Sequence, residues 1–447
     1  MSGQWRSLEQ LADDPSFVAR AAEEFPSLAK ALAAPSNRRR VLKLMAAALA
    51  MGELGGCDPG APGGHLIPAV RVPPNIIPGL PNFYSTANVV DGYAAGVVVK
   101  HNMGRPIKVE GNPLHPASLG ATDVLAQAQV LDFYDPDRGA AATARGLPVG
   151  WQDLQTALLP ERRKIAQNRG AGFRILTGTV TSPTLAAQFD ALLSRYPEAR
   201  WHQWEAVSRN NVRDGAVLAY GSPVELVPKL DAVDVLLAID SDLLSSAPGH
   251  LRFARDFAGR RNPTRTRKMS RVYAVEPTPT LIGTVADHRF VASPREMHRI
   301  VAGLADAILK GTPPSSMPDW VGKAAADLVA NRGRALVHVG PDQPPQTHAV
   351  VHAVNEEIGA RGATADLVEP IAHAPAGGAA TLSELVDDMR AGRVSTLLII
   401  DTNPVYAAPG PLGFSEALQR VDFSLALTAA PNETSAATLW AVPMAHA

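Results

Sequence analysis

From residue 83 onward, short runs of consecutive apolar and β-branched residues alternate with stretches of helical period, and this alternation constrains the fold of the 447-residue chain more tightly than any other feature. The runs are Val97-Val98-Val99, Phe173 to Leu176, Val235 to Ile239, Val272 to Val275, Ala335 to Val339, Leu397 to Ile400 and Phe423 to Leu427. A strand that is apolar at every position has no solvent face, so it needs cover on both sides. Helices between successive strands supply that cover and return the chain for a parallel partner. Helical period predicts such segments at Thr184 to Arg195, Pro294 to Leu309, Gln346 to Ile358 and Leu382 to Met389. The expectation is an α/β protein with two doubly wound, mainly parallel-sheet lobes at 151–320 and 321–447, preceded by a small N-terminal lobe at 83–150. Frequent glycine and proline, 36 and 38 residues, fit the many short connections this requires.

An internal echo supports two related lobes. Val235-Leu236-Leu237-Ala238-Ile239-Asp240-Ser241, with Ala247-Pro248 after it, matches Thr396-Leu397-Leu398-Ile399-Ile400-Asp401-Thr402, with Ala408-Pro409 at the same spacing. Each is a buried strand ending in Asp and a hydroxyl residue, at the carboxyl edge where open α/β sheets bind ligands. Strand ends favour such residues anyway, so the echo marks an ancestral nucleotide-type site without showing that it still binds.

Ahead of these lobes the sequence reads as an address. Asn37-Arg38-Arg39-Arg40-Val41-Leu42-Lys43, the apolar run from Leu44 and then Leu54-Gly55-Gly56-Cys57 are ordered like an export signal with a lipid-attachment site. The paired Arg38 and Arg39 point to the twin-arginine route, which carries folded proteins. The apolar stretch falls short of the ~20 residues of a membrane-spanning helix, and Glu53 interrupts it. Residues 1–57 are therefore expected to be a twin-arginine and lipoprotein leader, and the Pro/Gly-rich residues 58–82 a tether. Cys57 would carry the lipid, and Asp58 after it resembles a signal for retention on the inner membrane.

Cys57 is the chain's single cysteine, which leaves no Cys-x-x-Cys cluster for an iron–sulfur centre and no thiolate for molybdenum or haem. The 12 histidines are scattered; His348 and His352 are four apart on a predicted helix, but no Glu lies between them as in a zinc protease, and they read as packing or solvated residues. Lys and Arg total 42 against 43 Asp and Glu, and the one dense basic run, Arg252 to Arg271, reads as a helix and loop inside a domain. No nucleic-acid partner is expected.

Beyond these readings, Gly104-Arg105-Pro106-Ile107-Lys108-Val109-Glu110-Gly111-Asn112-Pro113, His115-Pro116 and Asp132-Phe133-Tyr134-Asp135-Pro136-Asp137-Arg138 resemble the opening of the molybdopterin oxidoreductase superfamily. Val272-Tyr273-Ala274-Val275-Glu276-Pro277, Asp401-Thr402-Asn403-Pro404 and Asn432-Glu433-Thr434 continue the likeness. The departures are informative: Thr122 to Gln129, where catalytic relatives carry a cluster-binding cysteine, has none, and neither does Val72 to Ala94. Trp204 to Gly221 offers Ser208 as a metal ligand but no cysteine. With the leader Trp5 to Ala12 before the twin arginines, this pattern resembles the large B subunit of alternative complex III. In that subunit a first half keeps the molybdopterin-enzyme fold without the cofactor, and a second half holds iron–sulfur clusters.

The resemblance implies a molybdopterin-oxidoreductase-like architecture whose final cofactor-binding lobe is absent, with the cluster module on a separate chain or lost. It implies a non-catalytic, cofactor-free scaffold on the periplasmic face of the inner membrane. Iron–sulfur clusters and haem c would sit in its partners: a ferredoxin-like subunit, a multihaem cytochrome c and polytopic quinol-binding subunits, with a terminal oxidase as a further candidate. No catalytic or metal residue is expected, and Asp240, Ser241, Asp401, Thr402 and Asn403 would be vestiges of pterin-binding loops. Two alternatives remain open: a periplasmic molybdopterin oxidoreductase with a serine or no protein ligand, and a tethered lipoprotein binding nucleotides at the two Asp-Ser/Thr loops.

Overall fold

The computed structural model describes residues 76–77, 80–266, 268–312, 314–374 and 381–445. The leader, with Arg38, Arg39 and Cys57, and residues 58–75 of the expected tether lie outside the described residues.

A three-stranded antiparallel sheet, β1 (Asn82–Val90), β2 (Tyr93–Asn102) and β3 (Arg105–Gly111), opens the described chain and packs against α1 (Val124–Asp132). The Asp123 side chain accepts the Ala126 N–H and caps α1, and Val97, Val109 and Ala126 form the small core between sheet and helix. The short hairpin β4 (Thr143–Ala144) and β5 (Leu147–Pro148) leads into α2 (Trp151–Gln167). Then come β6 (Phe173–Thr177), α3 (Pro183–Arg195), β7 (Arg200–Gln203), α4 (Asn210–Tyr220) and β8 (Glu225–Pro228). The run β9 (Val235–Ile239), α5 (His250–Arg260), β10 (Arg271–Glu276), α6 (Leu281–Val285), β11 (His288–Val291), α7 (Pro294–Leu309), α8 (Asp319–Ala330), β12 (Ala335–Val339) and α9 (Pro345–Glu357) follows. The chain closes with β13 (Ala365–Val368), α10 (Leu382–Arg390), β14 (Thr396–Ile400), α11 (Pro404–Ala407), α12 (Phe414–Leu418), β15 (Phe423–Thr428), α13 (Glu433–Ala437) and β16 (Trp440–Pro443).

Two sheets carry the α/β lobes. One is parallel throughout, in the order β11-β10-β9-β12. The other runs β5-β4-β16-β15-β14-β6-β7, parallel from β16 to β7 with the β4–β5 hairpin antiparallel at its edge. Side-chain alternation shows the cover on both faces of the larger sheet. Leu397 and Ile399 pack under α10 and α12, whereas Leu398 and Ile400 point to the opposite face, under α2 and α3. The doubly wound expectation is met.

The division at residue 320 is not. β12, beyond that boundary, pairs with β9, while β6 and β7, well before it, share a sheet with β14. The chain begins the larger sheet, leaves it after β7, builds the smaller sheet as an insertion and returns at β14. Any fully apolar five-residue strand suits either sheet, so order along the chain could not assign partners.

Local sequence explains the helices that hold these strands. α7 starts at a capping box in which the Ser293 side chain accepts the Glu296 N–H and the Glu296 carboxylate accepts the Ser293 N–H at 2.9 Å. Its buried Met297, Ile300, Val301, Leu304 and Ile308 recur at helical spacing. The basic run from Arg252 to Arg271 is tied to carboxylates of its own lobe: Arg260 and Lys268 bind buried Asp234, together with Arg334 at 2.6 Å, and Arg271 pairs with Asp327 at 2.8 Å. Among the described residues no helix is long and apolar enough to cross a membrane.

Candidate functional site

Both Asp-hydroxyl loops sit at the carboxyl ends of central strands, and the echo between them extends to the backbone. Asp240 and Asp401 have φ of 49° and 50°, in the left-handed region that non-glycine residues seldom adopt. Each donates its N–H to the neighbouring strand, Asp240 to Val275 O at 2.7 Å and Asp401 to Leu427 O at 2.9 Å.

Their side chains are used differently. Asp240 accepts from Gln343 Nε2 at 2.8 Å, and Ser241 Oγ is hydrogen-bonded to His338 Nδ1 at 2.7 Å. Gly340 follows β12 so closely that a Cβ there would lie 1.6 Å from the Asp240 carbonyl oxygen, so the crevice between β9 and β12 is closed by backbone contact. In the other lobe Asn403 donates from Nδ2 to Glu433 at 2.7 Å and accepts the Thr434 N–H and hydroxyl, stitching the end of β14 to the start of α13. Asp401 is exposed and Thr402 half-buried.

A serine and histidine at 2.7 Å is the beginning of an activated nucleophile. Here it is not one. Ser241 is only 3% exposed, and burial, aided by the nearby Arg209 cation, pushes the His338 pKa down to about 3, too low for a base at neutral pH. His348 and His352, both buried on α9, extend the cluster. Burial lowers His348 to about 4 and lowers His352 as well. His348 rests on Gly215 of α4, where a Cβ would approach to 2.3 Å, and His352 meets Tyr220 edge-on with ring centres 5.1 Å apart. These are packing contacts between α4 and α9. Among the described residues no group of three or more His, Cys, Asp or Glu could hold a metal ion.

A half-open cavity with several charged side chains in its lining lies elsewhere, beyond the ends of β6 and β7. It measures about 90 Å³ and is bounded by Tyr93 from β2, Thr179, Glu205, Ser208, Arg209 and Glu225, among others. None of the five loop residues singled out from the sequence lines it, whereas Ser208 does. Arg209 Nη2 lies 3.3 Å from Glu225 Oε1, and burial, with the Glu225 charge behind it, raises the Tyr93 phenol. Glu205 accepts the Thr179 N–H at 2.7 Å; burial raises its pKa, with Asp91 and Asp401 adding to the rise and the N–H bond opposing it. Sequence reasoning missed Tyr93, Glu205, Arg209 and Glu225, which are far apart along the chain and carry no motif. Two larger hollows, of about 490 and 480 Å³, are open grooves bordered by residues of 102–134 and 314–326.

No family model matches the chain. The menaquinone reductase molybdopterin-binding-like subunit of Nitratidesulfovibrio vulgaris is 22% identical, an alignment that takes in 81% of this chain and 58% of that protein. Among solved structures, acetylene hydratase from Pelobacter acetylenicus superposes with a TM-score of 0.57 at 11% identity, over 80% of this chain and 61% of that one. The chain has a molybdopterin-oxidoreductase-type fold. It spans less than two-thirds of the length of either relative.

The cavity at the ends of β6 and β7 is small beside a pterin dinucleotide. A cavity of about 90 Å³ compares with ~300–1,000 Å³ for pockets that take ligands of drug size, and a pterin dinucleotide is larger still. Ser208 is placed at the cavity, yet the carboxylates of Glu205 and Glu225 already take the nearby N–H and guanidinium donors.

Proposed function

We propose that this chain is a non-catalytic, cofactor-free scaffold subunit of a membrane quinol oxidoreductase of the alternative complex III type. In this reading a leader bearing Arg38 and Arg39 exports the folded chain, and lipid on Cys57 tethers it to the periplasmic face of the inner membrane. Its surfaces dock an iron–sulfur ferredoxin-like subunit, a multihaem cytochrome c and polytopic quinol-binding subunits, with a terminal oxidase as a further neighbour. Electron transfer depends on fixed short distances between cofactors, so a rigid protein without a redox group can be necessary to the assembly. Its contribution would be interface area, on the order of 2,000 Å² or more for each obligate neighbour.

The observation that carries this reading is the size and occupancy of the cleft: about 90 Å³, with Arg209 paired to Glu225 and Glu205 bonded to the Thr179 N–H. The likeness to a subunit named for menaquinone reductase supports the quinone-linked assembly. Against the nucleotide-binding alternative stand Asp240, Ser241 and Asn403, whose side chains are engaged within the fold.

The test is purification from mild-detergent membranes through a C-terminal tag, with companions identified by mass spectrometry and molybdenum and pterin measured in the same sample. Recovery with a cysteine-rich iron–sulfur chain, c-type cytochromes and polytopic subunits, and with no stoichiometric pterin, is expected. Stoichiometric molybdenum or pterin would overturn the cofactor-free reading, and recovery of the chain alone would overturn the scaffold.

A further inference from the structure

The larger sheet reverses its strand order between β14 and β6: β7 lies to one side of that pair, β15 and β16 to the other. Such a reversal opens a crevice at the carboxyl ends of the two strands, where open α/β sheets receive ligands. The backbone N–H groups just past the strand ends are the natural donors to the anionic part of a ligand.

Here those donors meet a side chain of the protein itself. Thr179, two residues beyond β6, gives its N–H to Glu205 Oε1 at 2.7 Å. A Cβ on the intervening Gly178 would lie 2.3 Å from the same oxygen, and the other atoms it would approach also belong to Glu205. Gly178 has no positive φ requiring glycine, so the missing side chain is what lets the carboxylate rest against the strand end. Glu205 arrives from the segment after β7 and lines the cavity. Asp91 and Asp401 lie near enough to act on its charge. The nearest lining cation, Arg209, is held by Glu225 at 3.3 Å.

We infer that Glu205 is an internal anion: its carboxylate occupies the position a phosphate-bearing ligand would take at the carboxyl end of β6 and closes that position to such ligands. This deepens the cofactor-free reading and rests on it for its biological sense. It assigns the closure to one side chain, with Gly178 as the residue that admits it.

The experiment uses the purified full chain and its E205Q and E205G variants, with inorganic phosphate and acetate as probes and chloride at equal ionic strength as reference. Thermal unfolding is read for each. Wild type and E205Q, whose amide oxygen still accepts the Thr179 N–H, should respond to phosphate no more than to chloride. E205G should melt lower, and phosphate or acetate at ~50 mM should restore part of the loss, raising Tm by ~2–4 °C beyond chloride. If E205G does not fold, E205S replaces it. A phosphate-specific rise in the wild type would show an open crevice and overturn the inference, as would a folded E205G or E205S that gains nothing from either anion. Membrane pull-downs with E205Q separate the two readings. Loss of companions in wild type and variant alike defeats the scaffold, while the anion response of the isolated chain judges Glu205 independently.

Discussion

Acidification from pH 7 to pH 5 should destabilise the folded chain through its buried histidines, in a window where few other groups contribute. Burial holds His348 at about 4 and His338 at about 3, against an ordinary value near 6.5. A folded-state pKa below the unfolded one means that the unfolded chain takes up the proton first. Nothing is lost above pH ~6.5, and stability falls steadily as pH drops below it until the folded value is reached. Between pH 7 and pH 5 each of these two histidines should cost about 2 kcal/mol, so ~4 kcal/mol together, and His202 and His352, also lowered by burial, add in the same direction. Carboxylates with lowered values, such as Asp234 at about 2, stay fully stabilising through this window and lose their contribution only below their ordinary range. Glu205, whose folded value is raised, acts with the opposite sign: its contribution is fullest below its unfolded value and is lost as pH rises through the folded one. The assay is urea unfolding at pH 7, 6 and 5, comparing wild type with His348→Gln. The variant should lose about 2 kcal/mol of the acid sensitivity. A wild type with the same midpoint at pH 5 as at pH 7, or a variant as acid-sensitive as wild type, would refute the reasoning.

Other outcomes follow from single contacts. Asp234→Ala leaves Arg334, Arg260 and Lys268 without their shared carboxylate beneath the smaller sheet; Arg334 and Lys268 are largely exposed and return to water, so the cost in urea unfolding at pH 7 should be ~1–3 kcal/mol. The Asp234 contribution in the wild type is present above pH ~3.8 and lost as pH falls through about 2, so the penalty should shrink in acid. Asp388→Ala strands buried Arg174, 2.8 Å away and 214 residues earlier, and should loosen α10 from β6, read as faster amide exchange in both elements. Gly340→Ala forces the end of β12 away from the Asp240 carbonyl and should abolish cooperative folding of the smaller lobe, whereas Gly221→Ala, with open space at Cβ but a φ of +75°, should cost only ~1–2 kcal/mol.

Purely local chemistry made much of the architecture legible. The apolar runs at Val235 to Ile239 and Ala335 to Val339 became strands with the same bounds, and Pro294 to Leu309 became a helix because its cap and its apolar spacing agree. The repeated Asp240-Ser241 and Asp401-Thr402 loops proved alike in backbone conformation as well as in sequence. What the same residues do was less legible. Asn403 is a tether to α13, Ser241 a partner for a neutral buried histidine, and Asp401 a charge acting on Glu205.

The sequence by itself determined the element types and the two strand-end loops, because helix and strand periodicity, caps and left-handed turns are written in residues a few positions apart. Only the tertiary structure decided which strands pair and what fills the cleft. β6 meets β14 more than two hundred residues later, and Glu205 reaches Thr179 because two parallel strands end side by side. An apolar strand satisfies its backbone beside any neighbour of matching length, so its partner is chosen by the packing of the whole chain, and the contacts at the strand ends follow from that choice.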